Sequence, residues 1–516
     1  MNYVAQARTI ACGVAFLIGI ACSSVTPATP ASGNSSNQST GNPSTGNPST
    51  GDSSAVQNSA LIGSYNPNPL GNWTNPGYDL GYNENQNAPA PLNLKWTAVP
   101  AAFAAANAGW PRSAFGMNIV VRGSYPNAGY PVGMARSFAA SWPEVEPAQG
   151  QFDWTLADQN VDRASKNGAK ILLVLGYSPT WAARNPNESG CQGGPAANGR
   201  CSVPRSNEDW IKYVSAVATR YKGKVFAYEP WNEPVSSTAW NGTPSELATL
   251  QRLTYQTIKK VDPKALVTSV SGSDIQNQYG DYVAWFEAFL KAGAAGYMDI
   301  MNWHVYTAYP ENLDENLYDN PGSSAAYQTQ TVTQILRGMF ARNGLSKLPF
   351  WVTETNVFAD QKPDQRYSPA VHVKRSSDAA AWIGRWVLCG AAAGIDAWFV
   401  HQWNDAADVS IQMGDPSVQA AWAQSTAWLV GATFVRTARN PDGTRAVHLR
   451  RNGADAIILW NPKRNVRAVL PSEWRVNAVA DLNGVVTKIT GTKVTGTNGT
   501  GVTVGFGVSP RLFYRR

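Results

Sequence analysis

Two strand-like segments of this chain each end in a glutamate whose setting could support acid–base or nucleophilic chemistry. The first reads Tyr228-Glu229-Pro230-Trp231-Asn232-Glu233-Pro234, the second Trp351-Val352-Thr353-Glu354-Thr355-Asn356. Two such carboxyl groups divide labour when one keeps its proton and the other has lost it. The protonated group donates to a leaving oxygen, and the ionised one attacks the carbon that oxygen leaves. Cleavage of a glycosidic bond needs this pair, and in its retaining form the two groups stand about 5–5.5 Å apart. Glu233 is then the acid/base and Glu354 the nucleophile. Burial and a nearby carboxylate are expected to raise the acid's pKa from about 4.3 towards about 6–7. One glutamate at a strand end is more often a capping or ion-pair residue. The specific signal is Asn-Glu-Pro after an aromatic strand together with a second Thr-Glu 121 residues downstream.

To act together the two glutamates need a scaffold that brings distant strand ends to one mouth. From Phe115 onwards short apolar runs alternate with helical stretches. The strand candidates are Phe115–Val120, Gly133–Ser137, Lys170–Gly176, Val225–Glu229, Leu266–Ser271, Ile300–Tyr306, Phe350–Glu354 and Ala397–Gln402. Helical patterns run over Asn207–Tyr221, Ser245–Val261, Asp281–Ala292, Thr331–Arg342 and Ser376–Ala393. Eight strands with intervening helices predict an α/β fold, a (β/α)8 TIM barrel, in which reactive groups gather at the C-terminal strand ends. Glu233 and Glu354 then close strands 4 and 7. A doubly wound open sheet gives the same alternation, but no GxGxxG or phosphate loop supports a nucleotide fold. Beyond Leu429 the helical period gives way to strand-like runs. These are Ala446–Arg450, Ala456–Leu459, Val466–Leu470, Val476–Ala480, Val485–Ile489 and Gly501–Phe506, expected to form a small C-terminal β-sandwich.

The motifs Trp231-Asn232-Glu233-Pro234 and Thr353-Glu354 resemble the strand-4 and strand-7 signatures of glycoside hydrolase clan A. Within the clan the chain looks most like glycoside hydrolase family 39. Arg136, Trp142-Pro143-Glu144-Val145-Glu146-Pro147, Gly150-Gln151-Phe152-Asp153-Trp154 and Leu175-Gly176-Tyr177-Ser178-Pro179-Thr180-Trp181 extend the likeness over about residues 115–427. The resemblance implies that Asn232 bonds the sugar 2-hydroxyl, that Tyr306 orients the nucleophile and that Arg136 keeps Glu354 ionised. His304, on the face of Tyr306, would line the same subsite. Trp403 would floor the subsite and Trp240 would join its wall. Capping, strand or core roles are the plainer alternatives for each. Glu229 reads as a barrel-interior support, and Glu144 and Glu146 as scaffold. The likeness implies a retaining β-glycosidase of an extracellular polysaccharide, with endo action favoured. The other readings are an exo-acting β-xylosidase, a cellulase- or mannanase-like enzyme, and a non-catalytic surface protein that binds carbohydrate.

Composition agrees with a globular polymer-handling protein. Of 516 residues 20 are Trp, whose flat faces suit sugar rings or a large core. The net charge of +7 is concentrated at one end: Leu429 to Arg516 carries 14 Lys/Arg against 4 Asp/Glu. No basic helix or RNA-binding motif accompanies it, so a nucleic-acid partner is not expected.

Arg8 and the apolar run Ile10–Ala21 read as an export signal too short to span a bilayer. Gly19-Ile20-Ala21-Cys22 resembles a lipoprotein box, with Cys22 as the lipidated residue. Cleavage near Ala28 or Ala31 is the alternative. Membrane contact is therefore expected only through such an anchor. The expected location is an outer-membrane or cell-surface lipoprotein, otherwise the periplasm or the medium.

Residues 1–22 are thus the signal and 23–60 a Ser/Thr/Gly/Asn/Pro tether. Residues 61–428 form the barrel with its lead-in, whose segment before Trp110 could add a strand to the sandwich of 429–516. Cys191 and Cys201, ten apart in a Gly/Asn/Pro-rich loop, suit a disulfide in an oxidising compartment, whereas Cys389 reads as a buried thiol. With no CxxC pair or HExxH motif, neither a metal nor another cofactor is expected.

Overall fold

A computed structural model describes residues 90–98, 109–119, 121–122, 125–126, 131–192, 198–273, 276–277, 280–306, 331–356, 376–401, 403, 411, 413–489 and 501–516. The expected export signal, Cys22 and the expected tether lie outside the described residues. Among these residues no helix is long and apolar enough to cross a membrane.

Eight parallel strands build the barrel: β1 Phe115–Asn118, β2 Met134–Ser137, β3 Lys170–Val174, β4 Ala227–Glu229, β5 Leu266–Val267, β6 Met301–His304, β7 Phe350–Thr355 and β8 Ala397–Val400. Their order is β5-β4-β3-β2-β1-β8-β7-β6, with the short strand Gly272–Ser273 added beside β6. A parallel bridge from Thr268 to Ile300 joins β5 to β6 and closes the ring, which excludes the doubly wound alternative. Ser269 N–H reaches the Ile300 carbonyl at 2.8 Å, and Asp299 N–H reaches that of Val267 at the same distance. Every strand coincides with a run that the apolar pattern marks, most ending a few residues sooner and β7 running one residue further, to Thr355.

The helices are α1 Trp142–Val145, α2 Thr155–Lys166, α3 Asn207–Arg220, α4 Pro244–Val261, α5 Tyr282–Lys291, α6 Val332–Arg342, α7 Ser376–Ala392 and α8 Pro416–Leu429. Five of their starts are chemically marked. Thr243 and Thr331 each form a capping box with Glu246 and Gln334, and Ser206, Asp281 and Asp415 cap through their own oxygens. Two of the longer helices, α2 and α8, are not marked by the sequence pattern. α2 does keep a helical stripe, Ala157, Asn160, Val161 and Ala164, but builds it from small or polar residues that do not stand out as an apolar pattern. α8 is buried on nearly every side and so lacks a polar stripe.

Beyond the barrel, an antiparallel sheet takes in Thr433–Arg439, Arg445–Arg451, Ala454–Trp460, Ala478–Ala480, Val486–Lys488 and Arg511–Tyr514. The first and last of these were not evident from the sequence. Trp96–Ala98, from the lead-in, adds to the free edge of Thr433–Arg439. A smaller sheet joins Ala90–Pro91, Val466–Leu470 and Val502–Phe506. Leu459, Leu470, Phe506 and Phe513 are among the residues of the core belonging to these sheets.

Cys191 and Cys201 are bonded, and Cys389 is buried and free. The disulfide closes the loop that follows β3. Replacing both of its cysteines by serine should lower stability by about 2–3 kcal/mol on the chain-entropy account of a ten-residue loop, read as a lower midpoint in urea.

Candidate functional site

At the C-terminal ends of the barrel strands the interior turns polar. Arg136 projects inward from β2 and is fully buried, and all five of its N–H groups are used. Nε and Nη2 form a two-pronged pair with Glu229 of β4, each at 2.8 Å. Nη1 reaches Asn118 Oδ1 at 2.7 Å and Glu354 Oε1 at 2.5 Å, and Nη2 reaches Asn232 Oδ1 at 2.7 Å. Two opposite charges hold this cation so firmly that its pKa rises, against the burial that would lower it.

Glu354 sits next to Thr353, yet both side chains enter the same site. Alternation along a regular strand would send them to opposite faces. The β7 pairing shifts register against β6 at Trp303/His304 and against β8 between Val352 and Thr355, and this irregularity re-aims the strand end. Tyr306 donates its phenol to Glu354 Oε2 at 2.8 Å. Burial alone would raise the Glu354 pKa. The charges of His304, His401 and Arg136, with the Tyr306 hydrogen bond, outweigh it and hold the carboxyl well below the usual range. Burial first, then the two carboxylates, drive the Tyr306 phenol pKa far up, so it stays a donor.

Glu233 stands on the loop after β4 with a left-handed backbone, φ 46°, directly before Pro234. Its N–H bonds Ser271 Oγ at 2.9 Å, and its carbonyl accepts from Ser236 N–H at 3.0 Å. Such a conformation persists only where surrounding bonds fix it. The buried Trp231, with its indole N–H on the Ala239 carbonyl, anchors the same loop. The Glu233 side chain keeps 19% of its surface, and that of Glu354 9%. His304 Nδ1 lies 2.8 Å from Glu233 Oε1 and 3.6 Å from Glu354 Oε2. One atom from each of Glu233, His304 and Glu354 falls within 4.8 Å of the others. That spacing could bridge a cation. Both Glu354 oxygens are already bonded to Arg136 and Tyr306, however, so these three are not read as metal ligands.

The sequence-predicted residues therefore meet in one place, with three changes of role. Arg136 is saturated and sealed, so it cannot touch a sugar; it acts through Glu354 and Asn232. His304 is likewise fully buried and faces the carboxylates rather than lining a subsite. Trp240, 2% exposed, packs edge-on against Trp231 at 4.9 Å and donates to the Thr243 carbonyl, so it supports the wall from behind. Trp403 is 4% exposed after β8, its backbone N–H on the Asn118 carbonyl at 3.1 Å. Glu229 is the interior support that strand alternation suggests. Glu146 accepts from Trp142 Nε1 and Gly150 N–H, and Glu144 pairs with Arg122.

Asn118, Asn302, Thr353 and Tyr177 belong to the site without having been singled out. Asn302 was findable, because it lies two residues before His304 on one strand. The other three carry no pattern of their own.

The wider comparisons agree with this geometry. Residues 137–264, from the end of β2 almost to β5, match the model of glycosyl hydrolase family 10. Endo-1,4-beta-xylanase A of Phanerodontia chrysosporium is 30% identical over 93 residues, which is 18% of this chain. The match spans about a fifth of that relative's length, 20%. A family 39 glycoside hydrolase from the gut symbiont Bacteroides cellulosilyticus WH2 superposes with TM-score 0.59 at 17% identity, over 80% of this chain and 82% of that one. A glucosidase from Croceicoccus marinus superposes with TM-score 0.52 at 13% identity, over 79% and 97%. The barrel has the fold of glycoside hydrolase clan A.

Two outcomes follow from the charge cluster. Arg136→Met should cost about 3–5 kcal/mol, because it strands two buried carboxylates, as measured by urea unfolding. Glu354 has a lower pKa folded than unfolded. Its contribution to stability is therefore complete above about pH 4.3 and drains away as pH falls below that towards its folded value. Unfolding midpoints across pH 2–7 should show this loss, and Tyr306→Phe should make it smaller.

Proposed function

We propose that the protein is a retaining β-glycosidase that works by double displacement, with Glu354 as nucleophile and Glu233 as acid/base. The observation that carries this is the facing of these two carboxyl groups, within 4.8 Å, over one barrel mouth. That separation suits direct attack and leaves no room for the interposed water of an inverting enzyme. In the first step Glu354 attacks the anomeric carbon while Glu233 passes its proton to the departing oxygen. In the second, Glu233 takes a proton from water, which displaces Glu354 from the glycosyl ester. Arg136 and Tyr306 keep Glu354 ionised for the attack. Asn232, its Oδ1 committed to Arg136, has its amide N–H groups as the donors for the sugar 2-hydroxyl. That bond strengthens as positive charge grows at the ring. Trp403 is the residue proposed to floor the subsite.

An extracellular polysaccharide, attacked within the chain, is the proposed substrate class. The export signal, the tether and the abundance of Trp support a polymer over a small glycoside. The proposed location is the cell surface by way of a lipidated Cys22, with release to the periplasm or medium as the alternative.

A 2-fluoroglycoside should label Glu354 covalently. Tight sugar binding without labelling would instead mark a non-catalytic carbohydrate-binding protein. Glu354→Gln should lose several orders of magnitude in turnover, and Glu233→Gln about 10²–10⁴-fold on unactivated substrates. Azide should restore Glu233→Ala on activated glycosides with retained configuration and Glu354→Ala, where it restores it, as the inverted azide; a retained azide from Glu354→Ala with an inverted one from Glu233→Ala would exchange the two roles. Product masses from a polysaccharide panel separate internal cleavage, giving mixed oligomers, from end-on release of single sugars.

A further inference from the structure

The His304 ring sits fully buried between two pairs of groups, and the second pair limits what the first can do. Nε2 lies 3.2 Å from Thr353 Oγ1. A threonine hydroxyl has one hydrogen to give. Thr353 Oγ1 lies 2.6 Å from Asn302 Oδ1 and 3.4 Å from Glu229 Oε2. The shorter distance fits an O–H···O bond and is tight for an amide N–H donor. Giving the hydrogen to either oxygen has the same consequence for the ring. The hydroxyl has none left for Nε2 and can only accept from it, so Nε2 must carry a proton.

With Nε2 protonated, only Nδ1 can change state, and Nδ1 lies 2.8 Å from Glu233 Oε1. A single proton fits between them. It is either on Glu233, with Nδ1 accepting, or on Nδ1, with Glu233 ionised. The charged groups around the ring are Glu233, Glu354 at 3.6 Å, Arg136, and Glu229 behind Thr353, with the Tyr306 phenol sharing Glu354 Oε2 and His401 beyond Glu354. Burial alone lowers the imidazole pKa. The two carboxylates at its edge outweigh burial and the Arg136 charge, and hold it above its ordinary value.

We propose that Thr353 and Asn302 are positioning residues that lock His304 in the Nε2–H form, so that the proton used by the acid is held jointly by Glu233 and His304. This rests on the glycosidase reading above. In the first chemical step the shared proton moves to the leaving oxygen. Glu233 is left ionised, and His304 is neutral with Nε2–H still on Thr353. In the second step a proton from the attacking water returns to the pair, so no proton is gained or lost over the cycle.

The tautomer can be read directly from histidine nitrogen NMR of the full-length protein, independently of turnover. The expected spectrum has Nε2 of His304, assigned through His304→Gln, protonated at every pH from 5 to 8. A neutral ring with a bare Nε2 and a hydrogen on Nδ1 would overturn the proposal, even in an active enzyme. In kinetics, Thr353→Val should orphan Nε2–H and favour the other tautomer, whose Nδ1–H stabilises ionised Glu233. The basic limb of kcat/KM should then move down by about one pH unit. Hydrolysis of glycosides with poor leaving groups should fall at least about tenfold, whereas dinitrophenyl glycosides, which need little acid help, should change by less than about twofold. Thr353→Ser should restore both. An unmoved basic limb in folded Thr353→Val, or equal losses on both substrate types, refutes the proposal. If the wild type turns over no glycoside at all, the enzymatic reading fails, while the NMR result still decides the tautomer.

Discussion

The guanidinium of Arg136 is the point on which the site depends. Its five N–H groups tie together four strands or strand ends, through Asn118, Glu229, Asn232 and Glu354. A lysine in its place would supply the charge but not the planar fork that reaches all four. Burying one cation with two carboxylates leaves a net negative interior. That imbalance draws a proton towards His304, and it suits a reaction whose transition state gathers positive charge on a sugar ring. The same bonds keep Glu354 ionised and hold the Asn232 carboxamide by its oxygen. Position and protonation thus have a common cause.

Around that cation, irregular backbone does what regular strands cannot. The register shift in β7 lets Thr353 and Glu354 both face inward. The left-handed turn at Glu233 carries its carboxyl to the site, and Tyr177, φ 53°, takes a second left-handed backbone after β3 that packs its ring inward. Tyr177 stacks on Phe138, meets Trp231 at 5.7 Å and donates to Gln192 Oε1. The disulfide-closed loop that holds Gln192 is therefore joined to the loop bearing Glu233. Both non-glycine departures sit at strand ends where several partners fix them, which is where strain is tolerated.

The barrel was legible because its strands are nearly continuous apolar runs, as strands covered on both faces must be. Glu233 and Glu354 were legible because their motifs end such runs. What did not show was anything defined by partners rather than by pattern. Arg136 is a lone arginine in the sequence, and only the folded chain reveals that it is saturated and so cannot meet a ligand. Trp240 and Trp403 look alike as residues beside a mouth, and only the folded chain shows both buried, with Trp240 packed edge-on against Trp231. Thr353 drew attention only as the letter before a glutamate, although its single hydroxyl hydrogen sets the state of a ring one strand away. Helix α8 escaped because burial on all sides erases the period by which helices are recognised.

The strand Trp96–Ala98 pairs with Thr433–Arg439 across the whole length of the barrel sequence. The composition of the chain suggests a module boundary near residue 429, but the hydrogen bonds do not respect it. A segment excised there would leave the edge of Thr433–Arg439 bare, a template for adhesion to other copies. The C-terminal sheet is therefore not a transferable appendage. It is the buckle of a belt whose two ends both belong to the same chain, and in evolution the barrel and its companion sheet would have to be inherited together.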